Sequence, residues 1–257
     1  MTLLQNNYEY TFFERFIKNI VINGDIPRHV AFIMDGNRRF ARSMNQKTSF
    51  GHLKGFERLS NVLCWSRDLG ITEVSVYAFS LSNFNRSSEE VVYLMNLAIS
   101  KFKELESKIE QINERGVKIR IIGDLEKLPE ELASISRRIM DQTKINQTFF
   151  LNIHLGYTST NELIKSVNGI KDLVTSREIT TEEIDTEMIT SYTLCNDMMP
   201  LDLLIRTSGE YRVSDYMTWQ ISCDSPVYYF CDENWPNFTF YNFVKSIFYY
   251  QINKFSY

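Results

Sequence analysis

A chain of 257 residues fits one large α/β domain or two small ones, and is long enough to build a sizeable core without staples. Its composition, 44% hydrophobic and 23% charged, is that of an ordinary globular protein, and a formal net charge of −4 excludes a broad basic face for nucleic acid. Any anion site must be local. The four cysteines (Cys64, Cys195, Cys223, Cys231) form no Cys-x-x-Cys pair, and only three histidines accompany them, which argues against structural zinc and a disulfide framework. No apolar run approaches the roughly 20 residues that cross a bilayer, and no signal peptide is visible, so a soluble or peripheral protein is expected. Eighteen Phe and fourteen Tyr are a surplus that core filling explains best, with an apolar cavity as the alternative.

In chain order, residues 10–22 place Phe12, Phe13, Phe16, Ile17 and Ile20 at helical spacing, a face that suits a membrane surface or docking onto the body or a partner. Six β-rich runs follow, at 29–34, 73–79, 117–122, 148–154, 201–205 and 226–230. Most are near-continuous apolar runs, as expected of strands buried on both faces of a parallel sheet. Helical patterns lie between them, notably at 87–115, 130–144 and 161–174, with Gly116 placed to cap the first. The alternation predicts an α/β fold with a mainly parallel six-stranded sheet flanked by helices. No repeat or linker divides it, so a helical segment at 1–24 is expected to precede one domain at 25–257. Ligands of such sheets gather at the carboxyl ends of the strands.

Three strand ends carry chemistry. The run His29-Val-Ala-Phe-Ile-Met-Asp35-Gly36-Asn37-Arg38-Arg39-Phe40 stops a buried strand at an acid, then opens a helix with two arginines. Gly36 allows close backbone approach to phosphate, the arginines add charge-assisted donors, and a carboxylate beside phosphates usually holds a divalent metal. The competing reading, that Asp35 and Asn37 merely cap a helix beside solvated arginines, is equally compatible with the residue types. The second end, Ser80-Leu-Ser-Asn83-Phe84-Asn85-Arg86, is weak alone because Ser and Asn are ordinary turn residues. The third, Leu201-Asp-Leu-Leu-Ile-Arg206-Thr-Ser-Gly-Glu-Tyr-Arg212-Val-Ser214, brackets a turn with two arginines and a hydroxyl that suit a diphosphate. Together they point to a binder of two phosphorylated ligands, with no nucleophilic triad and no Walker loop.

The segments 29–42, 51–55, 77–86, 152–157, 204–214 and Trp219-Gln220 resemble the signatures of the cis-prenyltransferases, from about residue 25 onward. Asp-Gly-Asn-Arg-Arg and the preceding Phe13-Glu-Arg-Phe resemble the eukaryotic branch, that of the dehydrodolichyl diphosphate synthase catalytic subunit. The resemblance implies a hydrophobic tunnel between sheet and helices and a Mg²⁺-dependent transferase that adds isopentenyl diphosphate to an allylic primer such as farnesyl diphosphate. Asp35 would hold Mg²⁺ and assist departure of diphosphate. Gly36, Asn37, Arg38 and Arg39 would cradle the allylic diphosphate with His52 and Arg86, while Phe40 and Phe84 shape its pocket. Arg206, Arg212 and Ser214 would grip isopentenyl diphosphate. Asn83, with Ser80, holds the position credited with accepting the proton. His29 and His154 are expected to be structural.

The sequence departs from the pattern in three places. Thr48, with Lys47 beside it, stands where bacterial members carry an arginine, and lysine lacks the bidentate fork. No glutamate follows Trp219-Gln220, where Asp224 is a candidate substitute. The chain ends Asn253-Lys-Phe-Ser-Tyr257 without the Arg-x-Gly motif of single-subunit members. A Nogo-B-receptor-like accessory subunit, or a dimer, is therefore expected. Peripheral contact with the cytoplasmic face of the endoplasmic reticulum, or a cytoplasmic location, follows from the same resemblance. A longer helical segment after Arg86 suggests a dolichol-length product. A non-catalytic scaffold subunit is the alternative, disfavoured by the presence of Asp35, Arg39, Arg206 and Arg212. A haloacid-dehalogenase-type hydrolase is excluded by Asn37, where that class needs a second Asp.

Overall fold

The computed structural model describes residues 8–254, so residues 1–7 of the expected N-terminal segment and the chain end at 255–257 lie outside the described residues. Six strands, β1 His29–Ile33, β2 Glu73–Ser80, β3 Val117–Ile122, β4 Phe149–Tyr157, β5 Leu203–Arg206 and β6 Val227–Phe230, form one sheet in the order β3-β4-β2-β1-β5-β6. Every pairing is parallel. β1 is buried at all positions and has β2 on one side and β5 on the other, so the carboxyl end of β1 is the crevice where ligands of such sheets bind. The predicted strands match within one to three residues at each end.

Among the described residues ten α-helices accompany the sheet: α1 Phe12–Val21, α2 Asn37–Ser43, α3 Thr48–Asp68, α4 Ser88–Glu106, α5 Ile109–Glu114, α6 Glu130–Thr143, α7 Ser159–Thr175, α8 Thr186–Ser191, α9 Thr218–Asp224 and α10 Phe240–Asn253. α1 starts at a capping box between Thr11 and Glu14 and packs on α10, burying Val21. Its Phe12, Phe13, Phe16 and Ile20 remain exposed. The helix expected over 87–115 is two helices. Lys108 leaves helical geometry (φ −116°, ψ 20°), and the Ser107 hydroxyl donates to Glu104 O, giving the backbone a local alternative to the helix. Gly116 closes α5 in the left-handed region, as its position predicted.

The aromatic surplus fills the core. Trp65, Phe240 and Phe243 pack together, and Phe32 meets Trp235, Phe238 and Phe243 with centroids 5.8–6.4 Å apart.

Two histidines are locked in this core. His29 lies between Met199 O and Ser75 Oγ, both 2.8 Å away, and His154 between Tyr216 Oη at 3.1 Å and Cys195 Sγ at 3.6 Å. Burial holds both rings below the usual histidine range, His154 to about 3. A base whose folded pKa is depressed is neutral in the folded chain and protonated when unfolded, so stability is full above the unfolded pKa and is lost as pH falls below it. We expect the unfolding midpoint to fall between pH 7 and 5, with His154 costing about 2 kcal/mol at pH 5. Thermal melts of wild type and His154→Gln check this: the variant should show the shallower pH dependence, and parallel curves would remove His154 as a cause.

Candidate active site

The chain leaves the sheet abruptly after β1. Gly36 sits at φ +98°, and a Cβ there would fall 1.9 Å from Ser208 Oγ and 2.4 Å from Asn234 Oδ1, so only glycine fits between β1 and the two loops beyond it. Asp35 is fixed from several directions. Its N–H donates to Thr207 Oγ1 (3.0 Å), and that hydroxyl donates to Asp35 O (2.8 Å). Gly36 N–H donates to Asp35 Oδ1 at 2.7 Å, and Arg206 Nη2 donates to Oδ2 at 3.0 Å. β1 and β5 are neighbours with Ile33 paired to Arg206, and this register brings Arg206 to Asp35.

α3 presses against α2 through two glycines one turn apart. A Cβ on Gly51 would meet Asn37 O at 2.0 Å, and one on Gly55 would meet Asn37 Oδ1 at 2.2 Å. That side-chain oxygen is buried without a hydrogen-bond partner. An unpaired buried acceptor costs about 1–3 kcal/mol and is a mark of a site built for something other than stability.

Met34, Asp35, Gly36, Asn37, Arg38, Arg39, His52, Arg86, Glu210 and Arg212 line a polar cavity of about 310 Å³. Four arginines against two carboxylates make it locally positive in a chain of net charge −4. Two acids absent from the sequence reading organise these cations. Glu90, in the first turn of α4, accepts from Arg86 Nη1 at 2.9 Å, lies 3.3 Å from His52 Nε2 and stands 4.0 Å from Arg38. Glu210 pairs with Arg39 at 3.1 Å and with Arg212. Burial keeps His52 below the usual histidine range despite Glu90, so it is neutral at pH 7.

A second, apolar cavity of about 150 Å³ adjoins the first and shares Met34, Asn37 and His52 with it. Its walls are α3 (Phe56, Leu59), α4 (Leu94, Met95, Phe102, Leu105) and the sheet (Val76, Phe79, Ile153, Leu155). A basic chamber opening beside an apolar one suits a ligand with a phosphate head and a hydrocarbon tail.

The structure thus gathers Asp35, Gly36, Asn37, Arg38, Arg39, His52, Arg86 and Arg212 at one cavity. Arg206 lies behind it, 3% exposed, donating to Asp35, Ser214 Oγ (2.7 Å) and Arg212 O. Ser80 and Asn83 cap each other at the end of β2, with Ser80 N–H donating to Asn83 Oδ1 at 3.1 Å, and neither lines the cavity. Phe84 meets Phe79, a wall of the apolar chamber, edge-on, Phe40 stacks on Phe50, and neither Phe40 nor Phe84 lines either chamber. Lys47 is exposed at the start of α3 and Thr48 is its first residue. Asp224 corrects an expectation. It accepts from Leu201 N–H at 2.8 Å, ahead of β5, whereas Asp35 lies past the carboxyl end of β1, so Asp224 does not reach the site of its own chain. Among the described residues no group of three or more His, Cys, Asp or Glu side chains gathers to hold a metal.

The sequence model of the undecaprenyl diphosphate synthase family (Prenyltransf) matches residues 33–257. The human dehydrodolichyl diphosphate synthase complex subunit DHDDS is 40% identical over 245 residues, covering 95% of this chain and 73% of that protein. The corresponding subunit of Schizosaccharomyces pombe is 38% identical over 241 residues, covering 94% and 91%. A tritrans,polycis-undecaprenyl-diphosphate synthase (geranylgeranyl-diphosphate specific) of Methanocaldococcus jannaschii is 38% identical over 247 residues, covering 95% and 87%. Among solved structures, lavandulyl diphosphate synthase from Lavandula x intermedia, in complex with dimethylallyl diphosphate, superposes with a TM-score of 0.81 at 25% identity, covering 88% and 95%.

Adding a methyl at Gly36 collides with two loops and strains a left-handed residue. Gly36→Ala should therefore lower stability by about 1–3 kcal/mol and weaken binding of inorganic diphosphate. Melting curves with and without diphosphate measure both effects. Unchanged stability together with unchanged diphosphate protection would overturn this account of the cradle.

Proposed function

The chain belongs to the undecaprenyl diphosphate synthase family of prenyltransferases, and from that premise we propose that it condenses isopentenyl diphosphate onto farnesyl diphosphate to make a long-chain dehydrodolichyl diphosphate for dolichol synthesis and protein glycosylation. The observation that carries the reading is the pair of adjoining chambers, one basic and one apolar, that meet at Asn37 and His52.

In this reading the allylic diphosphate lies against Gly36, Asn37, Arg38, Arg39, His52 and Arg86, with its hydrocarbon tail in the apolar chamber. Arg212, with Arg206 and Ser214, takes the diphosphate of isopentenyl diphosphate. The arginines are placed to stabilise negative charge as it builds on the departing diphosphate. Holding both ligands in one cleft supplies much of the rate, since it turns an encounter into an internal step. Asn83, with Ser80, is the family's position for proton removal. Its side-chain oxygen accepts from Ser80 N–H, so accepting a proton requires that contact to open.

The donor set fits Mg²⁺ in one form. Asp35 lines the cavity and its side chain is 35% exposed, with Oδ1 accepting from Gly36 N–H and Oδ2 from Arg206 Nη2. A lone carboxylate completed by substrate oxygens and water is an ordinary magnesium site. The ion, when bound there, supplies positive charge to the diphosphate.

For partners and location, the exposed Phe12, Phe13, Phe16 and Ile20 of α1 favour peripheral contact with the endoplasmic reticulum membrane, and among the described residues no helix is long and apolar enough to cross a bilayer. The accessory subunit is proposed to supply the phosphate contact that the family places on an Arg-x-Gly motif.

Two experiments test this. Purified chain with farnesyl diphosphate, labelled isopentenyl diphosphate and Mg²⁺ should elongate weakly alone and strongly with an accessory subunit. Strong elongation alone would refute the partner, and silence in both conditions would refute the enzyme. Asp35→Ala should cut turnover at least about 100-fold in a chain that still folds, though with a lowered melting temperature because Arg206 loses a partner, and retained activity would remove Asp35 from the chemistry.

A further inference from the structure

The two proposed half-sites rest on different parts of the fold. The allylic cradle is carried by α2, α3 and the segment before α4, through residues 36–39, His52 and Arg86. The chain that carries Arg212 and Ser214 is irregular from Thr207 to Met217, between β5 and α9. Within it Ser214, Asp215 and Met217 hold positive φ, at 51°, 57° and 48°. Residues of that kind relax unless surrounding contacts hold them. The contacts come from the first turn of α7. Asp215 Oδ1 accepts from the Thr160 N–H at 2.9 Å and from the Thr160 hydroxyl at 3.0 Å, and Asp215 O accepts from Ser159 N–H at 2.8 Å. Buried Ser159 completes the clamp, its Oγ accepting from Thr218 N–H at 3.1 Å. From the sheet side, the Tyr77 hydroxyl stands 3.2 Å from Tyr157 O and 3.4 Å from Ser214 O, and donates to either.

We propose that Asp215 is a positioning residue for isopentenyl diphosphate, whose carboxylate locks this loop onto α7 and so sets where Ser214 and Arg212 stand, an inference that rests on the prenyltransferase reading above. The chain of contacts is short. Ser214 Oγ accepts from Arg206 Nη1 at 2.7 Å, and Arg206 also donates to Arg212 O. Ser214 is thus tied to β5 on one side and, through Asp215, to α7 on the other. A loop free to leave the left-handed region at Asp215 would carry the Ser214 hydroxyl away from Arg206. Diphosphate would then have to order the loop as it bound, which weakens binding. Asp215 acts through the loop and not on the ligand: it lines neither chamber, and its charge repels an anion. The first turn of α7, a 17-residue helix, favours negative charge, which explains an acid at this position.

The bland alternative is a helix cap that adds stability and has no bearing on substrate. The two readings part on which KM moves. Wild type, Asp215→Ala, Asp215→Asn and Thr160→Val, each with its accessory subunit and Mg²⁺, are assayed with isopentenyl diphosphate varied at saturating farnesyl diphosphate, and then the reverse. Asp215→Ala loses both Thr160 donors, so KM for isopentenyl diphosphate should rise at least about 10-fold, with kcat and KM for farnesyl diphosphate within about twofold of wild type. Asp215→Asn keeps Oδ1 as the acceptor for both donors and tolerates the left-handed region, so every constant should stay within about threefold of wild type. Thr160→Val removes one donor at an exposed position and should raise KM for isopentenyl diphosphate by about threefold; it carries the test if Asp215→Ala does not fold. Unchanged constants in Asp215→Ala, or in Thr160→Val where that variant carries the test, overturn the proposal. So does an equal rise in both KM values, or a fall in kcat with both KM values fixed. An Asp215→Asn chain as impaired as Asp215→Ala overturns it too, since charge and not the clamp would then be the cause. Absence of even a first condensation in wild type overturns the prenyltransferase reading instead, so the two failures are distinguishable.

Discussion

A guanidinium buried to 3% exposure must be paired, and the pairing of Arg206 organises the whole mouth of the sheet. Arg206 ends β5, and the parallel register with β1 leaves it facing the loop that follows Ile33. Its donors go to Asp35, to Ser214 Oγ and to Arg212 O, which ties the first and third functional segments into one unit. Removing Asp35 or Ser214 would leave part of a buried cation unsatisfied, a larger loss than either contact suggests. The segment it restrains carries non-glycine residues at positive φ, namely Ser208, Ser214, Asp215 and Met217. Strain of that kind persists only where surrounding structure imposes it. The burial of Tyr216 on Tyr77, with centroids 4.4 Å apart, and against His154 supplies further restraint.

The same economy explains how an acidic protein holds an anion. Positive charge is concentrated by geometry, at the ends of three strands, while the surface elsewhere balances it. Close packing of α2 on α3 through Gly51 and Gly55 brings His52 beside the first turn of α2, which carries Arg38 and Arg39. The apolar chamber adjoins the polar one there, the two sharing Met34, Asn37 and His52.

Much of this was legible in the sequence, and the failures have physical causes. The strands read well because a parallel sheet covered on both faces needs unbroken apolar runs, as in Val30, Ala31 and Phe32. The long helix α3 did not declare itself, because the face it buries includes Gly51, Gly55, Ser60 and Ser66, small or polar residues that break an apolar stripe. The split of α4 from α5 falls where the Ser107 hydroxyl donates to the Glu104 carbonyl, a local contact below the reach of periodicity. Asp35 and the arginines were visible as residue types equally compatible with helix capping, and their gathering at one cavity depends on the β1–β5 register and the glycine contacts, which residue types do not carry. Glu90 was invisible for a related reason: an acid in the first turn of a helix reads as a favourable cap. Asp224 misled because proximity in sequence to Trp219 and Gln220 says nothing about which end of β5 it occupies.

The arginines of the cleft are held by carboxylates of the chain itself, and in the proposed reading this bears on turnover. Glu90 holds Arg86 and faces His52, and Glu210 holds Arg39 and Arg212. On the proposed binding mode, a diphosphate would exchange with these carboxylates instead of meeting naked cations. More charge per ligand than a single carboxylate carries makes the exchange favourable, while the contacts surrendered reduce the net gain. The cations also pay no penalty for standing unpaired between ligands, so the cradle need not collapse or recruit other anions. For an enzyme that releases a diphosphate after every condensation, such moderated binding is an advantage. Affinity large enough to capture substrate but offset by a resident anion lets product diphosphate leave before the next isopentenyl unit arrives.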